Sequence, residues 1–126
     1  MIGSPRVQPT LKDVVRGIEK ESLRIVPAGG LAKTKHPTCL GSALTNPYIT
    51  TDYSEALLEF ITPPTSDLEE LLGILDSVHR FTYQCLDEEM LWTASMPCIL
   101  RGDQDIPVAR YGKSNIGQMK TVYGLG

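Results

Sequence analysis

The stretch from Pro63 to Glu88 constrains this chain more than any other. Pro63-Pro64 ends whatever precedes it. Ser66-Asp67-Leu68-Glu69 then has the form of a capping box, in which the Ser hydroxyl accepts from the amide three residues on and the Glu reaches back. Acids in that first turn suit the positive end of a helix dipole. Leu68, Leu71, Leu72, Leu75, Val78 and Phe81 follow at helical spacing and form one apolar stripe. The pattern predicts one long helix over about 66–88. Such a stripe has to cover another layer, which the rest of the chain must supply.

That layer is sought on both sides of the helix. Thr10 to Ile25, the turn Pro27-Ala28-Gly29-Gly30 and the short run Leu31 to Thr34 suggest a hairpin or strand pair. Residues 35–48, with Pro37, Gly41 and Pro47, read as loop. Residues 52–60 read two ways. As a helix, Asp52, Glu55 and Glu59 share one face and Tyr53, Leu57 and Phe60 the other, and periodicity alone favours this. As a strand, Ala56 to Thr62 is a nearly continuous apolar run with Glu59 as its single acid. Ser95 to Gln104 reads as irregular, and Ser114 as the cap of a short last helix over 115–123, weakened by Gly117.

Composition excludes several classes. A chain of 126 residues is sized for one domain, with about two-thirds of its unfolded surface buried. The net charge of −3, from 15 acidic and 12 basic residues, argues against a general nucleic-acid binder, whose affinity rests on clustered cations. No apolar run reaches the roughly 18 residues of a membrane span, and no secretory signal is visible at the N-terminus. Cys39, Cys85 and Cys98, odd in number and widely spaced, fit neither a disulfide framework nor a zinc site and suit a reducing cytoplasm.

Two acidic groups carry the chemical interest. On a strand, Glu19 and Glu21 point to one face about 7 Å apart, where they repel unless water or a cation lies between them. Hard oxygen donors so placed suit Mg²⁺ or Mn²⁺ rather than zinc, and a solvated face neutralised by Lys20 and Arg24 is the plainer reading. Asp52 and Glu59 are seven residues apart, so one regular strand would put them on opposite faces; sharing a site requires a turn or bulge between them. His36 with Cys39, or Cys98 alone, forms at best a weak nucleophile candidate, because no oxyanion motif follows. His79 reads as a packed edge residue, Cys98 as a small buried hydrophobe, and Trp92 and Tyr123 as core or pocket lining. Neither phosphate-binding glycine motif is present, so nucleotide phosphates would have to be held by metal ions and scattered cations.

Arg16-Gly17-Ile18-Glu19-Lys20-Glu21-Ser22-Leu23-Arg24 resembles the signature of the proteobacterial type of glutamate–cysteine ligase. Its companions stand in order: His36-Pro37, Leu40 to Thr45, Ile49 to Pro63, Ser95 to Cys98, Gly102 to Ile106 and Tyr111 to Asn115. The resemblance covers the N-terminal portion of that family, so residues 1–126 are expected to be an incomplete N-terminal part of its catalytic domain. It implies an α+β, partial glutamine-synthetase-like fold of antiparallel strands with the one long helix, and a loop then a strand at about 56–62 in place of the helix over 52–60. It implies metal ligands at Glu19, Glu21, Asp52 and Glu59 for Mg²⁺ or Mn²⁺, and cysteine-pocket residues at Tyr53 and Tyr123. The expected reaction is ATP-dependent joining of the L-glutamate γ-carboxylate to L-cysteine through a γ-glutamyl phosphate, the first step of glutathione synthesis, in the cytoplasm. Further ligands and the phosphate-binding arginines of the family fall after residue 126. Gln118 replaces a usual Arg, and Tyr123-Gly124-Leu125 lacks two residues of the family pattern. The alternative expectation is an inactive remnant that binds divalent metal or a partner chain, or self-associates through unpaired sheet edges.

Overall fold

The computed structural model describes residues 14–111 together with 113, 118 and 119. Four strands form one antiparallel sheet: β1 (Glu19–Ile25), β2 (Ile49–Thr51), β3 (Leu57–Ile61) and β4 (Met90–Leu91), in the order β2-β3-β1-β4. One helix, α1 (Leu68–Cys85), packs on one face. The α+β expectation holds, and 57–61 is a strand, as the family resemblance implied against the helical periodicity. The last helix expected over 115–123 lies largely outside the described residues, as does Tyr123.

Side-chain alternation gives the sheet two unlike faces. Ser22, Arg24, Leu58, Phe60, Ile49 and Thr51 are buried on the helix side. There Leu40, Ile49, Leu58, Phe60, Leu86 and Leu91 form the main core, closed by Leu75, Val78 and Cys85. The Phe60 ring meets His79 at 4.7 Å between centroids, so His79 is the packed residue its position suggested. On the opposite face, Glu19, Glu21 and Leu23 of β1 lie beside Ile61, Glu59 and Leu57 of β3. A smaller cluster of Ile25, Leu31, Ala56 and Cys98 closes one end of that face.

Three sequence expectations need correction. The cap of α1 is Asp67, not Ser66: its carboxylate accepts from the amides of Glu69 and Glu70, satisfying two donors of the first turn. The helix stops at Cys85 rather than near 88. Asp87, Glu88 and Glu89 would be repelled by the negative end of its dipole. Instead Leu86 turns into the core and Glu89 pairs with Arg24. Finally, Cys39 and Cys85 form a disulfide, contrary to the reading from their spacing. A single turn of tight helix (Thr38–Leu40) carries Cys39 to the last residue of α1, a meeting that sequence distance conceals.

The expected hairpin after β1 is rudimentary. Val26 to Gly30 turns, with Gly29 at φ +82°, but the return chain pairs its backbone with β1 only where Leu31 bridges Ile25 and Ala32 donates to the Arg24 carbonyl. The true partners of β1 are β3 and β4. Gly17 gives clearance at the entry to β1, where a Cβ would lie a tight 3.1 Å from the Thr62 carbonyl oxygen.

The disulfide closes a loop of 46 residues. The chain-entropy account assigns a bridge of that span about 4 kcal/mol. Guanidinium unfolding with and without reductant, and of Cys39→Ser/Cys85→Ser, should therefore show a loss of roughly 3–4 kcal/mol. Coincident unfolding curves would show that the bridge does not hold the fold.

Candidate functional site

Register decides where the acids go. The bonds Thr62 N–H to Ile18 O and Arg24 N–H to Ala56 O mark the hydrogen-bonded pairs between β1 and β3. Glu21 and Glu59, partners in the register, therefore form a non-hydrogen-bonded pair, the type with Cα atoms about 4.5 Å apart and side chains closest. On the other side Glu59 faces Thr50 of β2. Asp52 continues that ladder by donating its amide to the Leu57 carbonyl, which puts it on the same face one step along. The turn over residues 53–56 thus supplies the reversal that a shared Asp52–Glu59 face requires.

All four acids lie on one face, with Glu59 as the hub. Glu21 is directly across, while Glu19 and Asp52 are diagonal neighbours, a relation of about 7–8 Å between backbones. Glu59 is half-buried; Glu19, Glu21 and Asp52 are exposed. Among the described residues, no three acidic, His or Cys side chains are gathered tightly enough to hold a metal ion as they stand. Tyr53 is also exposed, on the turn, where its carbonyl accepts from the Ala109 amide.

Glu55 belongs to the same acidic run but does a different job. Only 2% exposed, it accepts from the His36 amide at 2.9 Å and from the Arg110 amide, and its carboxylate lies 3.6 Å from the Arg110 guanidinium. It therefore fastens the 36 and 110 segments to the β2–β3 turn. Beside it, Tyr111 shares its hydroxyl proton between the carbonyls of Thr51 (2.9 Å) and Asp52 (2.8 Å). Burial first, then the negative charges of Asp52, Glu55 and Glu59, push the Tyr111 phenol above its ordinary range, against the opposing Thr51 bond.

A cavity of about 420 Å³ opens next to the acids. Among the described residues Glu21 is its one charged wall, and Leu23, Leu57, Trp92, Met96 and Ile106 supply most of the apolar lining. Trp92 donates Nε1–H to the Met96 carbonyl and so shapes the loop over it. The lone Trp was the one legible signal of this cavity. Neither cysteine candidate survives as a nucleophile: Cys39 is in the disulfide, and Cys98 is buried with its thiol pushed up by desolvation.

An antiparallel sheet with a helix on one face and four carboxylates on the other defines an α+β unit that presents hard oxygen donors beside a small apolar cavity. The chain belongs to the glutamate–cysteine ligase family, which it matches over residues 1–126. A glutamate–cysteine ligase of Alcanivorax borkumensis is 60% identical over 119 residues, covering 93% of this chain and 23% of that protein. One of Azotobacter vinelandii is 56% identical over 126 residues, covering 100% of this chain and 24% of its own length. The crystal structure of the Francisella tularensis glutamate–cysteine ligase, a complex with AMP, superposes with a TM-score of 0.84 at 43% identity, over 89% of this chain and 22% of that one. A bifunctional glutathione synthetase from Pasteurella multocida gives 0.77 at 36% identity, over 83% and 14%. The chain thus spans about a quarter of the length of the curated relatives it matches. Among the described residues, no helix is long and apolar enough to cross a membrane.

His36 gives the site a pH dependence. Both ring nitrogens are buried, and among the described residues neither has a hydrogen-bond partner. Burial first and the Arg24 charge second push its pKa below 6.5, outweighing Glu55 and the Gly41 backbone. The folded state favours the neutral ring, so this part of the stability is complete above pH 6.5 and is lost as pH falls through that value toward the lowered one. His36→Phe should flatten the decline of the guanidinium midpoint between about pH 7 and 5. A variant with the wild-type slope would clear His36 of any part in it. Glu55→Ala should cost about 2–4 kcal/mol, since it strands two amide donors beside a buried site. A melt within experimental error of the wild type would exclude that clamp.

Proposed function

We propose that this chain is the N-terminal part of the catalytic domain of a glutamate–cysteine ligase, using ATP to join the γ-carboxylate of L-glutamate to L-cysteine. The observation that carries the reading is Glu21 directly across from Glu59, with Glu19 and Asp52 on the same face. Like charges directly opposite on neighbouring strands repel. A divalent cation turns that cost into binding, and carboxylates match the oxygen preference of Mg²⁺ or Mn²⁺.

In this reading Glu19, Glu21, Asp52 and Glu59 hold Mg²⁺ or Mn²⁺. The cations supply neutralisation of the charge that develops when a phosphoryl group moves from ATP to a carboxylate, giving a γ-glutamyl phosphate that the cysteine amine attacks. The sheet provides a rigid base that keeps the four side chains on one side. Leu23, Leu57 and Trp92 wall the adjoining cavity with apolar surface, which keeps water from an activated acyl group. Tyr53, exposed on the turn beside Asp52, and Tyr123 are both assigned to the pocket for the cysteine side chain by family resemblance.

The four carboxylates are not drawn into one cage, and the chain covers a quarter of its relatives' length, so ligand closure falls to the remainder of the enzyme. The isolated 126 residues should accordingly bind Mn²⁺ weakly and release no phosphate from ATP with glutamate and cysteine. Titration followed by the Mn²⁺ paramagnetic resonance signal should show at least roughly a 10-fold loss of affinity in Glu19→Gln/Glu59→Gln, the range expected for disturbing ligands and their supports. Equal binding by both proteins would remove the carboxylate face as a metal site. A second reading, a non-catalytic unit that self-associates, draws on the exposed apolar flank of α1 at Leu68, Leu72 and Phe81 and on edge strand β2. Concentration-dependent sedimentation would support it, and a monomer at all concentrations would dismiss it.

A further inference from the structure

Asp52 has no strand of its own to hold it. It is the first residue past β2, exposed, and it reaches the face of Glu59 only because the chain keeps the β2–β3 ladder for one more step. That step is secured from outside the sheet. The Tyr111 hydroxyl bridges the two successive carbonyls that flank the end of β2, those of Thr51 and Asp52. A proton shared between two neighbouring carbonyls fixes the peptide plane between them, and with it the direction in which the Asp52 side chain leaves the backbone.

Tyr111 is itself anchored. The carboxylate of buried Glu55 accepts from the amide of the preceding residue, Arg110, and the Glu55 amide donates to the Pro107 carbonyl. The Ser54 hydroxyl also donates to Pro107, and the Ala109 amide donates to the Tyr53 carbonyl. Every residue of the turn from Tyr53 to Glu55 thus bonds the segment 107–110. The turn that carries Asp52 and the segment that carries Tyr111 form one braced unit more than fifty residues apart in sequence.

We propose that Tyr111 is a positioning residue for the carboxylate face, holding Asp52 in register with Glu59 and Glu21 so that divalent metal meets a pre-set third carboxylate. This rests on the metal-binding reading above. Tyr111 acts through the backbone of Asp52 and is assigned no contact with metal or substrate. Its block, Tyr111 to Asn115, accompanies the acidic signatures in the sequence, yet nothing in the spacing reveals which backbone atoms the phenol reaches.

The test compares the intact chain with Tyr111→Phe, which keeps the ring and removes only the hydroxyl. Thermal melts are run with and without Mn²⁺, and affinity is read from the free Mn²⁺ resonance. Tyr83→Phe, an exposed tyrosine on α1, serves as the control. The expected result is about 10-fold weaker Mn²⁺ binding in Tyr111→Phe, the effect of losing a ligand's supporting bond, and a correspondingly smaller Mn²⁺-induced rise in melting temperature. A role confined to packing would lower both melts of Tyr111→Phe equally and leave the Mn²⁺-induced rise intact; that outcome overturns the proposal while the metal reading stands, provided Glu59→Gln still loses binding. No Mn²⁺ binding by the wild-type chain overturns both.

Discussion

The pairing of β1 with β3 is the constraint on which the remaining structure depends. Its register sets Glu21 against Glu59 and Ser22 against Leu58. A slip of one residue would exchange every side chain of one strand between faces. Glu59 would then enter the apolar layer under α1, and Phe60 would leave it. Burying an unpaired carboxylate costs several kcal/mol, and exposing Phe60 forfeits the burial of a full aromatic side chain. The same alternation that builds the core thus builds the acidic face, and neither can be altered alone.

Arg24 reinforces that register from the buried side. Its side chain is fully buried, and its guanidinium donates to the Thr34 hydroxyl and carbonyl, to the Glu55 carbonyl and to Glu89 at 2.6 Å. Four segments therefore converge on one cation: β1, the return from its turn, the β2–β3 turn and the chain leaving α1. A buried ion pair contributes little net stability against an apolar substitute, but removing one partner leaves an expensive charge. Its effect here is specificity, because no shifted pairing brings Thr34, Glu55 and Glu89 to the same place. The Cys39–Cys85 bridge ties the same C-terminal end of α1 to the loop before β2 and limits the same alternatives.

Much of this was legible in the sequence where the information is local. The helix was plain because Leu71, Leu75 and Val78 recur at its period, although the residues that face the sheet are fewer than the stripe suggested: Leu68, Leu72 and Phe81 of the expected stripe are exposed. Glu19 and Glu21 were readable as one face from their spacing alone. Residues 52–60 were not, since their polar and apolar positions satisfy a helix as well as a turn and strand; only pairing with β1 and β2 decides, and pairing is non-local. The disulfide, the Glu55 clamp and the Tyr111 brace share that cause. The disulfide joins residues 46 positions apart, the Glu55 clamp reaches 19 positions back and 55 forward, and the Tyr111 brace spans 59 and 60, and no local propensity encodes such a meeting. Glu55 shows the consequence most clearly. In sequence it is one more acid between Asp52 and Glu59, and in the fold it faces inward and holds backbone amides.

The division between Glu55 and its neighbours also explains how so many acids share a short turn. Asp52, Glu55 and Glu59 lie within eight residues, and three like charges at one surface would repel. Glu55 is removed from that set by its donors: the Arg110 guanidinium and two amides meet its charge where water does not reach. Glu59 sits mid-strand, where the sheet limits its movement, whereas Asp52 stands at a strand end and depends on Tyr111. The acidic face therefore grades from the rigid pair Glu21–Glu59 to a margin set by loops. For the metal-binding role proposed above, such grading has a physical use. The mid-strand pair would retain an ion, while Asp52 at the margin would be kept in register with it by the Tyr111 hydroxyl and by its own amide bond to Leu57.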